Sequence, residues 1–386
     1  MIPSPAPTTA PPPDVAAYAR QGFAHTAVPL AQLPLPDEPH VAVWRAYLAD
    51  SQPGSPFAVL RQQLPQLRFP VRTGISRTPA YRAATRQGAA PDALPEATGL
   101  QLHAPDQLQL RIYGGAAGAL PVLIAPHRAD FVSLVQAFLW RNEPRPVPET
   151  MGACMITGFN NWGRIHAYRR RWQAQYPHGD WAEGFRQLLP YKTQYQDRFM
   201  LLGDGLYSAV PAAALGLPAA AWLTLSRHIR LAHEYAHYVT QRLFGETRRH
   251  LFDELLADYA GIVAAAGDFR PAWLCHFWGL EDPAAYRPGG RLENYLPADL
   301  LQPAPLAALR ELVLRAVAAL QAFDHACAAQ RRDAWGQMLA LAAIASLDLQ
   351  QLAAGDGARR LRDRFHALLA AAPDAVSPAA SGDETP

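Results

Sequence analysis

The chain has 386 residues, half of them hydrophobic and 18% charged, which is a globular composition with room for two or three structural units. Its 35 basic and 33 acidic residues leave a net +2, so no overall field favours nucleic acid or an anionic membrane surface. Three cysteines, Cys154, Cys275 and Cys327, are odd in number and far apart, which points away from a disulfide framework or a C-x-x-C zinc site and towards reduced thiols in a cytoplasmic protein.

The first thirteen residues, rich in Pro, Ala and Thr, lack the basic start and apolar run of a secretory signal and read as a disordered tail. Residues 14–118 form an N-terminal region with little periodicity. It carries short helices at Val41–Asp50 and Pro56–Gln63 and a strand near Gln107–Tyr113. The apolar run PVLIA (121–125) reads as a buried strand. A helix follows from Asp130, suited to its N-cap, to Trp140. ACMITGF (153–159) reads as a strand, and Asn161–Tyr176 and Trp181–Leu189 as helices. Residues 199–210 read as an extended segment or hairpin turning at Gly203–Gly205. The longest uncharged window, Gly205–Ser226, is broken by Pro211, Gly216 and Pro218, so no membrane span is expected.

Beyond Pro218 the chain reads as helical. A long helix ends at Phe244 before Gly245, and a second runs from Thr247 to Ala266 before Gly267. Further helices are expected at Pro271–Trp278, Pro305–Ala329, Asp333–Leu352 and Ala358–Ala371. The expected fold is α+β and mainly helical. Its expected units are a domain over 119–300, a C-terminal helical region over 301–372 and a disordered tail over 373–386.

The long helix contains LAHEYAHYVT (231–240), an H-E-x-x-H motif made of His233, Glu234 and His237. Residues four apart lie on one helical face, so both imidazoles can point at one place, as a tetrahedral zinc ion requires. Glu234 is turned about 100° from His233, poorly placed as a ligand but able to take a proton from a water at the metal. Catalytic zinc usually has a third protein ligand. The metzincin continuation fails, because its glycine and third-ligand positions are Thr240 and Leu243. The next helix instead offers FDELLAD, Phe252–Asp258.

H-E-x-x-H, then a Glu on a following helix and an Asp four residues later, resembles the gluzincin pattern of thermolysin-like zinc metallopeptidases over about residues 230–261. The resemblance implies a zincin-like core in which His233, His237 and Glu254 bind Zn²⁺ and Glu234 is the general base. It further implies that Asp258 accepts the free N–H of one ligand histidine, and that Asp253 is a second polar support. Tyr295, His276, Tyr259 and Arg291 are candidates for stabilising the developing oxyanion. The 203–210 segment is a candidate edge strand for an extended peptide. The expected activity is hydrolysis of a peptide or protein substrate, with neither nucleic acid nor membrane as partner. The alternative is a non-catalytic metal-binding or helical interaction protein. Without a metal, the histidines would be hydrogen-bonded in a helix interface while Glu254 and Asp258 pair with Arg230 or Arg248.

Overall fold

The structure is a computed structural model that describes residues 13–23, 28, 30–51, 55–245, 250–282 and 284–372. The expected tails, 1–13 and 373–386, lie outside these residues except for Pro13, which opens a helix. The protein is α+β and mainly helical, with one four-stranded sheet. No helix among the described residues is long and apolar enough to cross a membrane.

Two compact units divide the chain. One spans Pro36–Gly205, and the other joins the residues up to Leu35 to those from Leu206 onward. The chain enters through α1 (Pro13–Ala19), part of the second unit, and then builds the first: α2 (Val41–Asp50), α3 (Pro56–Gln63), α4 (Pro79–Gln87), β1 (Gln109–Tyr113), β2 (Leu120–Ala125), α5 (Arg128–Leu139), β3 (Ala153–Asn160), α6 (Trp162–Gln175), α7 (Trp181–Leu188) and β4 (Gln196–Gly203). The sheet order is β1-β2-β4-β3, with β2 and β4 parallel and the outer pairs antiparallel. Every residue of β2 is buried, which explains its unbroken apolar run. Asp197 on β4 anchors the interior, accepting from Trp44 Nε1 at 2.8 Å, Asn161 Nδ2 at 2.7 Å and Arg164 Nη1 at 2.6 Å.

The second unit continues with α8 (Ala219–Phe244), α9 (Leu251–Ala266), α10 (Pro271–Trp278), α11 (Pro303–Ala326), α12 (Ala334–Ala345), α13 (Leu349–Leu352) and α14 (Gly357–Ala371). Helix α8 buries Trp222, Ser226, Ile229, His233, Ala236, Thr240 and Leu243, a three-and-four spacing that forms one stripe along the helix. It stops at Gly245, whose φ of 75° suits a residue without Cβ. Helix α9 packs along α8 and ends the same way at Gly267, with φ 81°.

Several expectations need correction. No unit runs over 119–300: a boundary at 118/119 would cut the β1–β2 pair, and α11 and α12 pack on α10 and α9 within one unit. The four-stranded sheet and the histidine-bearing helix therefore belong to different units. The 203–210 segment is not an edge strand, because β4 lies between β2 and β3 and Tyr207–Ala209 forms a 3₁₀ turn. Asp130 is not the N-cap of α5. It sits in the first turn, its carboxylate accepting the amides of His103 at 2.5 Å and Ala104 at 2.8 Å. The helix expected over Asp333–Leu352 breaks after Ala345, where Asp348 forms a capping box with Gln351. The start of the expected helix at Thr247 lies outside the described residues.

Candidate metal centre

Helix α8 turns His233 and His237 to the side that faces α9, one turn apart. Gly261 lets the two helices approach there: a Cβ at this position would lie 2.7 Å from the Ile229 carbonyl oxygen. Glu254 enters from the first turn of α9, where a carboxylate complements the helix N-terminus. The Nε2 atoms of the two histidines are 3.2 Å apart. Glu254 Oε2 is 3.4 Å from His233 Nε2, and Oε1 is 3.7 Å from His237 Nε2. Among the described residues, no other three His, Cys, Asp or Glu donors converge in this way. Ligand distances near 2.0–2.1 Å in a tetrahedron put neighbouring donors about 3.3–3.5 Å apart, so these three positions fit a zinc-sized ion.

The outer nitrogens explain why the inner ones converge. His233 Nδ1 lies 2.9 Å from Asp258 Oδ1, and His237 Nδ1 lies 3.0 Å from Asp253 Oδ2. A carboxylate can only accept, so each Nδ1 carries the proton and each Nε2 of a neutral ring is a bare lone pair. Two such lone pairs and a carboxylate facing one another repel unless a proton or a metal lies among them. Asp258 is fully buried and takes four donors: His233 Nδ1, Tyr207 Oη at 2.5 Å, Trp278 Nε1 at 2.6 Å and Arg291 Nη2. Asp253 has, besides His237, the Thr240 hydroxyl at 3.3 Å.

Electrostatics follow this arrangement. Burial pulls His237 down, but Asp253, Glu254 and Glu234 outweigh it and raise its pKa to about 10. Burial likewise opposes a rise at His233, which Asp258 and Glu254 nevertheless impose. Glu254 is held down at about 2, against burial, by the two histidines and Arg291. Asp258 also lies below the ordinary carboxylate range, because Arg291, His233 and Tyr207 offset its burial. Without a metal, then, the cluster retains a proton that a cation would have to displace.

One family model matches residues 6–356, most of the chain. The chain belongs to the family of unknown function DUF7005. No curated protein and no solved structure matches it.

The remaining candidate residues of this DUF7005 chain divide by position. Glu234 is half-buried on α8, and no hydrogen bond or ion pair engages its carboxylate among the described residues. Arg291 reaches the centre, but through Asp258, with its guanidinium 5.0 Å from the Tyr207 ring centroid and 5.9 Å from that of Tyr295. Tyr295 packs against Trp278, which itself bonds Asp258. Tyr259 does not reach the centre: its hydroxyl donates to Asp324 on α11 at 2.9 Å. His276 lies two residues before Trp278 on α10, about 200° round the helix from the indole that meets Asp258. The cation paired with Asp258 is Arg291 rather than Arg230, and Arg248 lies outside the described residues. Two participants escape sequence reasoning altogether, Tyr207 and Trp278. Neither stands at a motif spacing, and both reach Asp258 only through tertiary packing.

Proposed function

We propose that this protein is a zinc-dependent metallohydrolase with a zincin-like two-helix site that cleaves an amide bond in a peptide or protein. The observation that carries this reading is the presentation of two Nε2 lone pairs and the Glu254 carboxylate to one point, with each imidazole oriented by its own aspartate. Two nitrogen donors and one oxygen suit zinc better than calcium or magnesium, which prefer all-oxygen sets. Zinc held there supplies Lewis acidity towards a water molecule and a substrate carbonyl.

Glu234 is the general base. Its carboxylate takes one proton from the attacking water, whose oxygen bonds to the carbonyl carbon, and returns that proton to the amine as the C–N bond breaks. The other water proton leaves with the new acid. Arg291 and Tyr295 remain the candidates for supporting the developing oxyanion. Cys154, Cys275 and Cys327 are free and buried, which fits a reducing, cytoplasmic setting.

A second reading rests on burial. The side chains of His233, His237 and Glu254 are only 8%, 13% and 12% exposed, a depth that also suits a metal held for structure. Metal analysis of wild type beside His237→Ala and Glu254→Ala tests the site: one zinc per chain should fall away in both variants. Glu234→Gln should keep its zinc and lose peptide hydrolysis. A wild type that hydrolyses no peptide while binding zinc stoichiometrically would favour the structural metal. A wild type that binds no zinc would end both readings.

A further inference from the structure

The centre includes a residue that no motif spacing reveals. Tyr207 Oη lies 2.5 Å from Asp258 Oδ1 and 2.9 Å from His233 Nδ1, while those two atoms are themselves 2.9 Å apart. The hydroxyl has one proton, and the ionised carboxylate is its stronger acceptor, so Tyr207 donates to Asp258. Its oxygen then offers a lone pair to the His233 Nδ1–H, which lies between two acceptors. The opposite tautomer would set a bare Nδ1 against the carboxylate of Asp258.

The chain holds Tyr207 in place from all sides. Its amide donates to Ser226 Oγ at 3.0 Å, and its ring meets Phe277 edge-on at 4.8 Å, with the Arg291 guanidinium 5.0 Å over its face. The next two residues, Ser208 and Ala209, have φ of 52° and 55°, a left-handed backbone that L side chains rarely adopt. Successive left-handed residues without glycine persist only where the surroundings impose them, and such strain gathers at functional sites. Here the turn delivers one buried hydroxyl to one histidine.

We propose that Tyr207 is a positioning residue, whose hydroxyl holds the His233 imidazole in the Nδ1–H form and in the orientation that presents Nε2 beside Glu254 to a metal ion. The inference rests on the metal-centre reading above. With Tyr207 on Oδ1 and Trp278 and Arg291 on Oδ2, the Asp258 carboxylate has no freedom to turn away from His233. Loss of the hydroxyl leaves a buried oxygen one donor short and frees the carboxylate to swing towards Arg291, carrying the ring with it.

The test compares wild type, Tyr207→Phe and Tyr259→Phe. Phe keeps the ring contacts at either site, and Tyr259 is an equally buried tyrosine whose hydroxyl serves Asp324 instead. Zinc affinity is measured by competition with a chromophoric chelator, and ligand geometry by the visible bands of the cobalt(II)-substituted protein. Tyr207→Phe should bind zinc about tenfold or more weakly and shift the cobalt bands. Tyr259→Phe should lower the thermal midpoint and change neither. Wild-type affinity and cobalt bands in Tyr207→Phe, or an equal loss in Tyr259→Phe, would overturn the role of Tyr207 and leave the metal centre standing. Absence of zinc from wild type would instead overturn the metal centre itself. Should Tyr207→Phe not fold, proton NMR of zinc-loaded wild type decides: a nuclear Overhauser contact between a slowly exchanging Tyr207 hydroxyl proton and the His233 Nδ1–H supports the role, and its absence refutes it.

Discussion

The Nε2 atoms of His233 and His237 face each other at 3.2 Å with a carboxylate alongside, so in the metal-free protein a proton must hold them together. This sets a pH dependence with a definite sign. His237 is raised from 6.5 to about 10, so its contribution to stability is complete below 6.5 and is lost as pH rises towards 10. Glu254 is lowered from 4.5 to about 2, so its contribution is complete above 4.5 and is lost as pH falls towards 2. The zinc-free thermal midpoint should therefore be highest between about pH 4.5 and 6.5. Saturating zinc should remove the alkaline decline, because coordination replaces the proton. Calorimetry of both forms across this range checks it, with His237→Gln as reference. A metal-free midpoint that stays level on the alkaline side, or declines there no more than in His237→Gln, would refute the proton's role.

The two supporting aspartates should not be equivalent. Asp258 carries Arg291, Trp278 and Tyr207 as well as His233, whereas Asp253 carries His237 and the Thr240 hydroxyl. Asp258→Ala strands a buried guanidinium and should cost about 3–5 kcal/mol of folding stability. Asp253→Ala takes one carboxylate from the His237 imidazolium, which keeps Glu254 beside its Nε2, and should cost less, about 1–3 kcal/mol. Both should weaken zinc binding roughly 10–100-fold. Urea unfolding of the metal-free variants separates the two costs, and equal values would contradict the asymmetry.

What was legible in the sequence is what local geometry fixes. Proline and glycine punctuation marks Val41–Asp50, Pro56–Gln63 and Pro271–Trp278 at their observed ends, and apolar runs mark β2 and β3. The side-by-side placement of His233 and His237 follows from the helical repeat alone. Their convergence with Glu254 needs the α8–α9 packing that Gly261 permits, which the E-x-x-x-D spacing suggests and cannot establish. Tyr207 was illegible because it approaches His233 from a 3₁₀ turn 26 residues upstream, and Arg291 reaches Asp258 across 33 residues. The division into units was hidden for the same reason: it depends on the pairing of β1 with β2 and of β2 with β4, which no local pattern encodes.

The segment around α1 reaches α9, the helix that carries Glu254, from the far end of the sequence. The Tyr18 hydroxyl donates to the Tyr295 carbonyl at 2.7 Å and accepts the Leu251 amide at 3.4 Å, and its ring centroid lies 4.4 Å from that of His250. Leu251 begins α9, three residues before Glu254. Tyr18→Phe should cost about 0.5–1.5 kcal/mol and loosen the first turn of α9. Amide hydrogen exchange at Leu251 should accelerate several-fold while exchange in the middle of α8 does not. Unchanged protection at Leu251 would mean that the tyrosine does not tie the segment to the helix.

Gly261 gives the sharpest test of how the helices carry the site. It lies seven residues beyond Glu254, on the same face of α9. A Cβ there would meet the Ile229 carbonyl oxygen at 2.7 Å and Ile229 Cγ2 at 2.9 Å, and Ile229 stands one turn before His233. Two effects oppose each other in Gly261→Ala. Helix propensity favours alanine by about 1 kcal/mol. The clash is with backbone, which cannot swing aside, and forcing packed helices apart costs about 1–3 kcal/mol. The clash should win, giving a net loss in urea unfolding. Zinc affinity should fall with it, because separating α8 from α9 draws Glu254 away from both Nε2 atoms. A variant more stable than wild type, with unaltered zinc affinity, would show that the helices can part without disturbing the three donors.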